Sequence, residues 1–323
     1  MHVGDLSAAA SAGASLVADA DAEGDAVIAA KARLNTGSVL NQLGLFEEAQ
    51  ALLERALQGA RSRKLRALEG FALHNLGMSY ARLGNLEEGI AHERQAGRIA
   101  DECHVARLRI AGRLYEAIFL VWRGAPGDYG TAHSIARWLC EETARHATAL
   151  QAMASFALAR VQLARRELRA AVDAAREAAR HLEGGPIEEW NDAIRLTLVE
   201  ALLAAGEERE AHAALDAAFT ALRARVDALR DPRHREAFLR GSDDVGRLIA
   251  LARERLGRSL PAASAAHAAD ASVHRAAAAP ARGRGATPGG DPAGQRGAGP
   301  AQGKEAHGDG AAAPAREKGA PRS

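Results

Sequence analysis

Residues 71–91 read FALHNLGMSYARLGNLEEGIA, a helix, a tight turn and the start of a second helix. Leu73, Leu76, Gly77, Tyr80 and Leu83 are apolar or small at helical spacing. Gly84 is expected to end the first helix, because glycine takes the left-handed conformation without a Cβ penalty. Asn85 is placed to cap the second, and Glu87 and Glu88 fall in its first turn, where the helix dipole favours negative charge. Gly77 and Gly89 remove side chains where the two helices would cross. Forty positions earlier the pattern recurs: Asn35, Gly37, Leu40, Leu43, Gly44, Phe46, Glu47, Glu48 and Ala49 precede Asn75, Gly77, Tyr80, Leu83, Gly84, Leu86, Glu87, Glu88 and Gly89. A fixed period of this kind, more than any single residue, decides the fold.

The whole chain has 323 residues, with 42 basic and 41 acidic side chains, so its charge gives no argument for nucleic acid. Aromatics make up 4%, and the rest is rich in helix formers with little β-branched content. Cys103 and Cys140 are too few for a disulfide framework or a four-ligand zinc site and read as buried packing residues. The first residues, MHVGDLS, lack a basic start and an apolar core, and no apolar run approaches the ~20 residues of a membrane span. A soluble, cytoplasmic protein is expected.

The period organises the chain into four regions. Residues 1–22 hold an Ala-rich helix in register with the second helix of a hairpin, an orphan half-repeat. Either it frays, or the sequence is the end of a longer array, the preferred reading; self-association through it is a further expectation. Residues 23–230 hold five hairpins: about 27–43 with 46–60, 65–83 with 86–101, 105–123 with 128–146, 148–165 with 168–182, and 187–205 with 207–229. The third turn, 124–127, carries a three-residue insertion with Pro126, and Gly184, Gly185 and Pro186 close the fourth hairpin. Residues 231–258 give a short helix and a last one from about Asp243 to Leu256, whose Val245, Leu248, Ile249 and Leu251 could cover the end of the stack. Residues 259–323 contain seven of the ten prolines, no aromatic and only Leu260 and Val273 as larger aliphatics, so a disordered tail is expected. Its Arg-Gly fragments lack the aromatic interleaving of a nucleic-acid tail.

With LNTGxxLxxLGxFEEA and HNLGxxYxxLGxLEEG in view, residues 27–230 resemble a tetratricopeptide repeat array. The match is close in the first two hairpins and loose in the later three. The period is near 40 instead of 34, and the usual first-helix Trp and closing Pro are mostly absent. The resemblance implies a right-handed α-solenoid that binds a peptide or protein in its concave groove. The long variety resembles arrays in bacterial regulatory ATPases, transcriptional activators and multidomain Ser/Thr kinases, including myxobacterial ones. The segment HREAFL…DDVGRLIALARERLG is similar to the one that comes after the repeats in the kinase–ATPase proteins. The alternative function is therefore the regulatory end of such a kinase or ATPase with its enzyme domains upstream; no nucleotide or kinase motif stands in this sequence.

Candidate chemistry is sparse. Cys103 and His104 would point about 100° apart on a helix, and His92, Cys103 and His104 match no metal-ligand spacing. Glu141–Glu142 and Glu188–Glu189 read as solvated faces, so no catalytic residue, metal or cofactor is expected. By the resemblance, the groove positions are Lys31, Leu34, Ser38, Asn41 and Gln42 in the first hairpin and Phe71, His74, Met78 and Arg82 in the second. Asn35 and Asn75 precede the small-residue motif, where asparagines can clamp a ligand backbone because an amide both donates and accepts. Capping or solvation is the alternative role of the asparagines, and a half-exposed surface position that of His74.

Overall fold

A computed structural model describes residues 6–144, 148–183 and 190–260, all within one compact unit. Among the described residues there are thirteen helices and no strand: α1 Leu6–Ala22, α2 Ala26–Leu43, α3 Phe46–Ser62, α4 Arg66–Arg82, α5 Leu86–Glu102, α6 Ala106–Arg123, α7 Asp128–Thr143, α8 Thr148–Ala164, α9 Leu168–Glu183, α10 Asn191–Ala205, α11 Glu208–Ala228, α12 Pro232–Gly241 and α13 Asp243–Leu256. The 184–186 breaker, His146, the Glu188–Glu189 pair and the tail beyond residue 260 lie outside the described residues.

The turns explain the spacing of the helices. Residues 24, 44, 64, 84, 104 and 124 all have positive φ, one every twenty positions; after the insertion the series continues at 166 and 206. At most of them the next N–H reaches back five residues, as in Leu45 to Leu40 O, Leu65 to Ala60 O, Asn85 to Tyr80 O and Val105 to Ala100 O, all at 2.8–2.9 Å. This is the Schellman closure, which satisfies carbonyls left open at a helix end. The 40-residue period is therefore two equal helix-and-turn units. Asn85 differs from its sequence reading: it occupies the cap position, but its side chain makes no cap bond and its backbone N–H serves the preceding helix. His104, at φ 56°, sits in a turn, so the helical angle expected between Cys103 and His104 does not apply.

From α1 to α11 each helix packs on the next, and the first helices of neighbouring hairpins (α2, α4, α6, α8, α10) also touch one another. The second helices have no comparable contact among the described residues, so the stack curves with its first helices inside. This is the all-α helical-repeat solenoid expected from the period. Close crossing occurs where the glycines predict it: a Cβ on Gly89 would meet the Gly77 carbonyl oxygen at 3.0 Å. Gly77 itself is kept small by a side chain, because a Cβ there would meet the Glu93 carboxylate at 2.6 Å. α1 packs on α2 as the second helix of a preceding hairpin would, with Gly13 against Thr36.

The C-terminal helices do more than cover the stack. α13 packs on α10 and α11 and buries Val245, Leu248, Ile249 and Leu251, as its apolar face suggests. α12 crosses to the first hairpin and packs on α2. There Gly241 and Gly44 meet backbone to backbone: a Cβ on Gly241 would lie 2.4 Å from Gly44 Cα. Phe238 and Leu239 join Leu40 and Leu43 in one continuous buried cluster. Ion pairs reinforce the closure, Arg233 with Glu48 and Arg82 with Asp244, the latter at 3.4 Å. The array thus closes on its own beginning.

Candidate functional site

The groove positions form two stripes at helical spacing: Lys31, Asn35, Ser38 and Gln42 on α2, and Phe71, Asn75, Met78 and Arg82 on α4. Burial divides them. Lys31 and Asn35 are exposed and Ser38, Phe71 and Asn75 half-buried, whereas Met78 is buried and Gln42 and Arg82 line a cleft walled on its far side by α12 and α13. Exposure is therefore greatest at Lys31 and Asn35 on α2, and the last turns of both helices face the chain's own C-terminal helices.

Several of these residues already have structural work. Asn41 donates from Nδ2 to the Asn75 carbonyl at 2.9 Å and accepts from Ser79 Oγ at 2.7 Å, tying α2 to α4. The Asn75 amide donates to Phe71 O of its own helix at 3.2 Å. His74 is buried rather than half-exposed; its Nδ1 lies 2.8 Å from Glu93 Oε2 and its ring meets Tyr115 edge-on at 4.5 Å. Leu34 is buried core. Periodicity places a residue on a face; it does not reveal which neighbour that face meets.

Deeper in, the inner surface is filled by aromatic rings. Trp190, at the start of α10, packs on Tyr115 at 5.2 Å, Phe156 at 5.5 Å and Trp122 at 6.2 Å, joining α6, α8 and α10. The Arg82 guanidinium lies over Trp122 at 4.5 Å and Trp190 at 5.8 Å while facing Asp244, so one cation is shared by ring faces and a carboxylate. Trp190 has φ 59°, a conformation rare for so large a side chain, held by this packing.

The cleft lies between the last turns of α2 and α4, the first turn of α10, Arg225 of α11 and the α12–α13 junction, with a cavity of about 80 Å³. Asp192 pairs with Arg225, whose guanidinium also stacks over Phe238 at 5.1 Å. Burial pushes the Asp192 carboxyl above the usual carboxylate range, and Arg225 opposes the shift. Trp190, Asp192, Arg225, Phe238 and Asp244 were not singled out from sequence. They lie outside the aligned repeat motif; the only cue was that Trp190 is one of three tryptophans.

Among the described residues, no group of three or more His, Cys, Asp or Glu side chains could hold a metal ion, and no helix is long and apolar enough to cross a membrane. Cys103 and Cys140 are free thiols and half-buried, less enclosed than their sequence reading; burial pushes the Cys140 thiol up to about 11, away from the thiolate.

An array of α-helical hairpins with its first helices inside is a helical-repeat solenoid, an architecture whose curvature generally creates extended concave surfaces. Residues 28–102 match the family model of the tetratricopeptide repeat, which spans the first two hairpins and supports a tetratricopeptide repeat array. Such repeats generally mediate protein–protein interaction and generally serve as non-catalytic scaffolds. No curated protein matches the chain.

Proposed function

We propose that this chain is a non-catalytic interaction module that holds an extended peptide of a protein partner along the open half of its inner surface. The residues in contact are Lys31, Asn35, Ser38, Phe71 and Asn75. The observation that carries this reading is the exposure of Lys31 and Asn35 at the head of a stripe on the two hairpins that match the repeat family. Asn35 offers a donor and an acceptor to an extended backbone, and the half-buried Phe71 an apolar shelf. Of the other groove residues, Asn41, Gln42, Met78 and Arg82 line the cleft and set the limit of the groove, and His74 is buried against Glu93.

A photo-crosslinking residue at position 35, compared with one at exposed Arg98 on α5, tests the reading. A partner captured at 35 and not at 98, and released by Asn35→Ala/Asn75→Ala, supports it. Capture at 98 alone, or capture untouched by the double variant, overturns it.

A second reading rests on Leu16 and Ile28, 48% and 44% exposed at the N-terminal end of the array. An apolar end of this kind suits a covering helix, either of a second copy or of a longer protein whose upstream kinase or ATPase domains this array regulates. Sedimentation of the chain and of Leu16→Glu separates the two. A dimer abolished by the substitution favours the second copy; a monomer, with an in-frame upstream sequence carrying P-loop or kinase motifs, favours the regulatory role.

A further inference from the structure

Hairpins one and two share one register, which makes the first a built-in control for the second. Forty positions before the buried His74 and Glu93 stand Leu34 and Leu53, buried in their turn. A Cβ on Gly37 would meet Leu53 Cγ at 2.6 Å, and one on Gly77 would meet Glu93 Oε1 at 2.6 Å. The two side chains therefore fill the same place in successive repeats. The third hairpin has Leu114 and Ala136 at the corresponding positions, both buried. The fold accepts an apolar pair here, and of these three hairpins the second alone has an ionisable one. A buried ion pair seldom adds stability over well-packed apolar side chains, so stability by itself does not account for it.

The Glu93 side chain is fully covered and that of His74 11% exposed, with Nδ1 2.8 Å from Oε2. Glu93 lies between Gly77 of α4 and Gly112 of α6, and the His74 ring meets Tyr115 of α6 edge-on. The charged groups around the junction meet one another. Arg94 of α5 and Arg113 of α6 share Glu116, and Arg98 and Asp101 border the same hollow as Glu93. From α3, Arg61 reaches Glu69 and Glu54 accepts from the Tyr80 hydroxyl; from α2, the uncharged Asn41 reaches the Asn75 carbonyl.

We propose that the His74–Glu93 pair is a pH-sensitive tie, which keeps a single proton in the folded chain and loosens the α4–α5–α6 junction when it holds two or none. With one proton the pair is neutral overall, whichever partner carries it. Two protons leave a net positive charge and none a net negative one, in a place that water does not reach. The unfolded chain obeys no such limit: its carboxyl loses a proton near pH 4.3 and its imidazole near pH 6.5, about the values of free groups. Below about pH 4.3 the unfolded chain holds the extra proton, and the tie strengthens as the pH rises. Above about pH 6.5 the folded chain holds the extra proton, and the tie weakens as the pH rises. The tie is read in the chain alone and does not depend on the peptide reading, although α4 carries Phe71 and Asn75 beside it.

Urea unfolding of the full chain from about pH 5 to about pH 9 tests the tie, with His74→Leu/Glu93→Leu as the reference that copies hairpin one. All other titrating groups are shared, so the ratio of the two unfolding constants isolates the pair. The expected ratio is flat between about pH 5 and pH 6 and then climbs toward tenfold per pH unit. Glu93→Gln reverses the dependence: its imidazole has no anion to face, so its unfolding constant climbs as the pH falls below about 6.5. The direct ratio of parent to Glu93→Gln then rises with pH across the whole range, a readout that stands even where the leucine variant does not fold. A ratio of parent to leucine variant that stays flat to pH 9 overturns the tie. A Glu93→Gln profile parallel to that of the parent overturns it as well and assigns the dependence to other groups.

Discussion

Lys64, His104 and Arg166 adopt the left-handed turn conformation that glycine holds at positions 24, 44, 84, 124 and 206. A side chain in that conformation costs about 1–2 kcal/mol, a penalty glycine does not carry. Lys64 and His104 are exposed, so no packing recovers it. Lys64→Gly is expected to stabilise the chain by about 1 kcal/mol, read as a higher urea midpoint with an unchanged slope. Gly77 behaves in the opposite way, because its Cβ space is taken by the buried Glu93 carboxylate that also holds His74. Gly77→Leu should cost about 1–3 kcal/mol by overpacking. A melting curve equal to that of the parent would show that α4 and α5 do not cross as closely as the structure has them.

At the scale of elements, the turn between α6 and α7 departs most from the repeat and is fastened differently. Asp128, 5% exposed, accepts from Nε and Nη2 along one edge of the Arg123 guanidinium, at 2.9 and 2.7 Å, and from the Ala125 N–H at 2.8 Å. The Arg123 hydrogen bonds, with that from Ala125, hold its carboxyl below the usual carboxylate range. A carboxyl lowered on folding contributes stability above its unfolded value, about 3.9, and loses it as the pH falls toward the folded value. The parent protein should therefore lose stability below about pH 4 more steeply than Asp128→Asn. At neutral pH the variant should be about 1–3 kcal/mol weaker. Urea unfolding at pH 7 and pH 3 checks both statements, and parallel losses in the two proteins would remove Asp128 from the account.

For the whole molecule, the contact that matters is α12 on α2. Gly241→Val would push a side chain into the Gly44 backbone, at an expected cost of about 1–3 kcal/mol. Hydrogen exchange should quicken at the last turn of α2 and along α12, with α8 and α9 unaffected. Gly246→Ala on α13 is the control, because a Cβ there meets nothing within 4 Å and should gain up to about 1 kcal/mol. Uniform exchange in Gly241→Val and its parent would mean that the array does not close at this point.

The repeat was legible because each hairpin writes its own signals. Gly44 and Gly84 mark turns, Leu73 and Leu76 an apolar face, and Gly77 with Gly89 a close crossing, all within one 40-residue window. These are local demands of backbone conformation and helical spacing, so they determined the fold class, the helix bounds to within a few residues and the inward stripes of α2 and α4. What covers those stripes is a matter of long-range geometry. Gly44 and Gly241 stand nearly two hundred positions apart, and nothing in either segment announces that their backbones touch. Nor does the repeat motif bring Trp190, Asp192, Arg225 and Asp244 beside Gln42 and Arg82; their meeting depends on how far the stack has curved by the fifth hairpin. Small offsets between packed helices accumulate along a solenoid. The sequence specified each step, and only the tertiary structure decided where the sum of the steps closed and left a polar cleft.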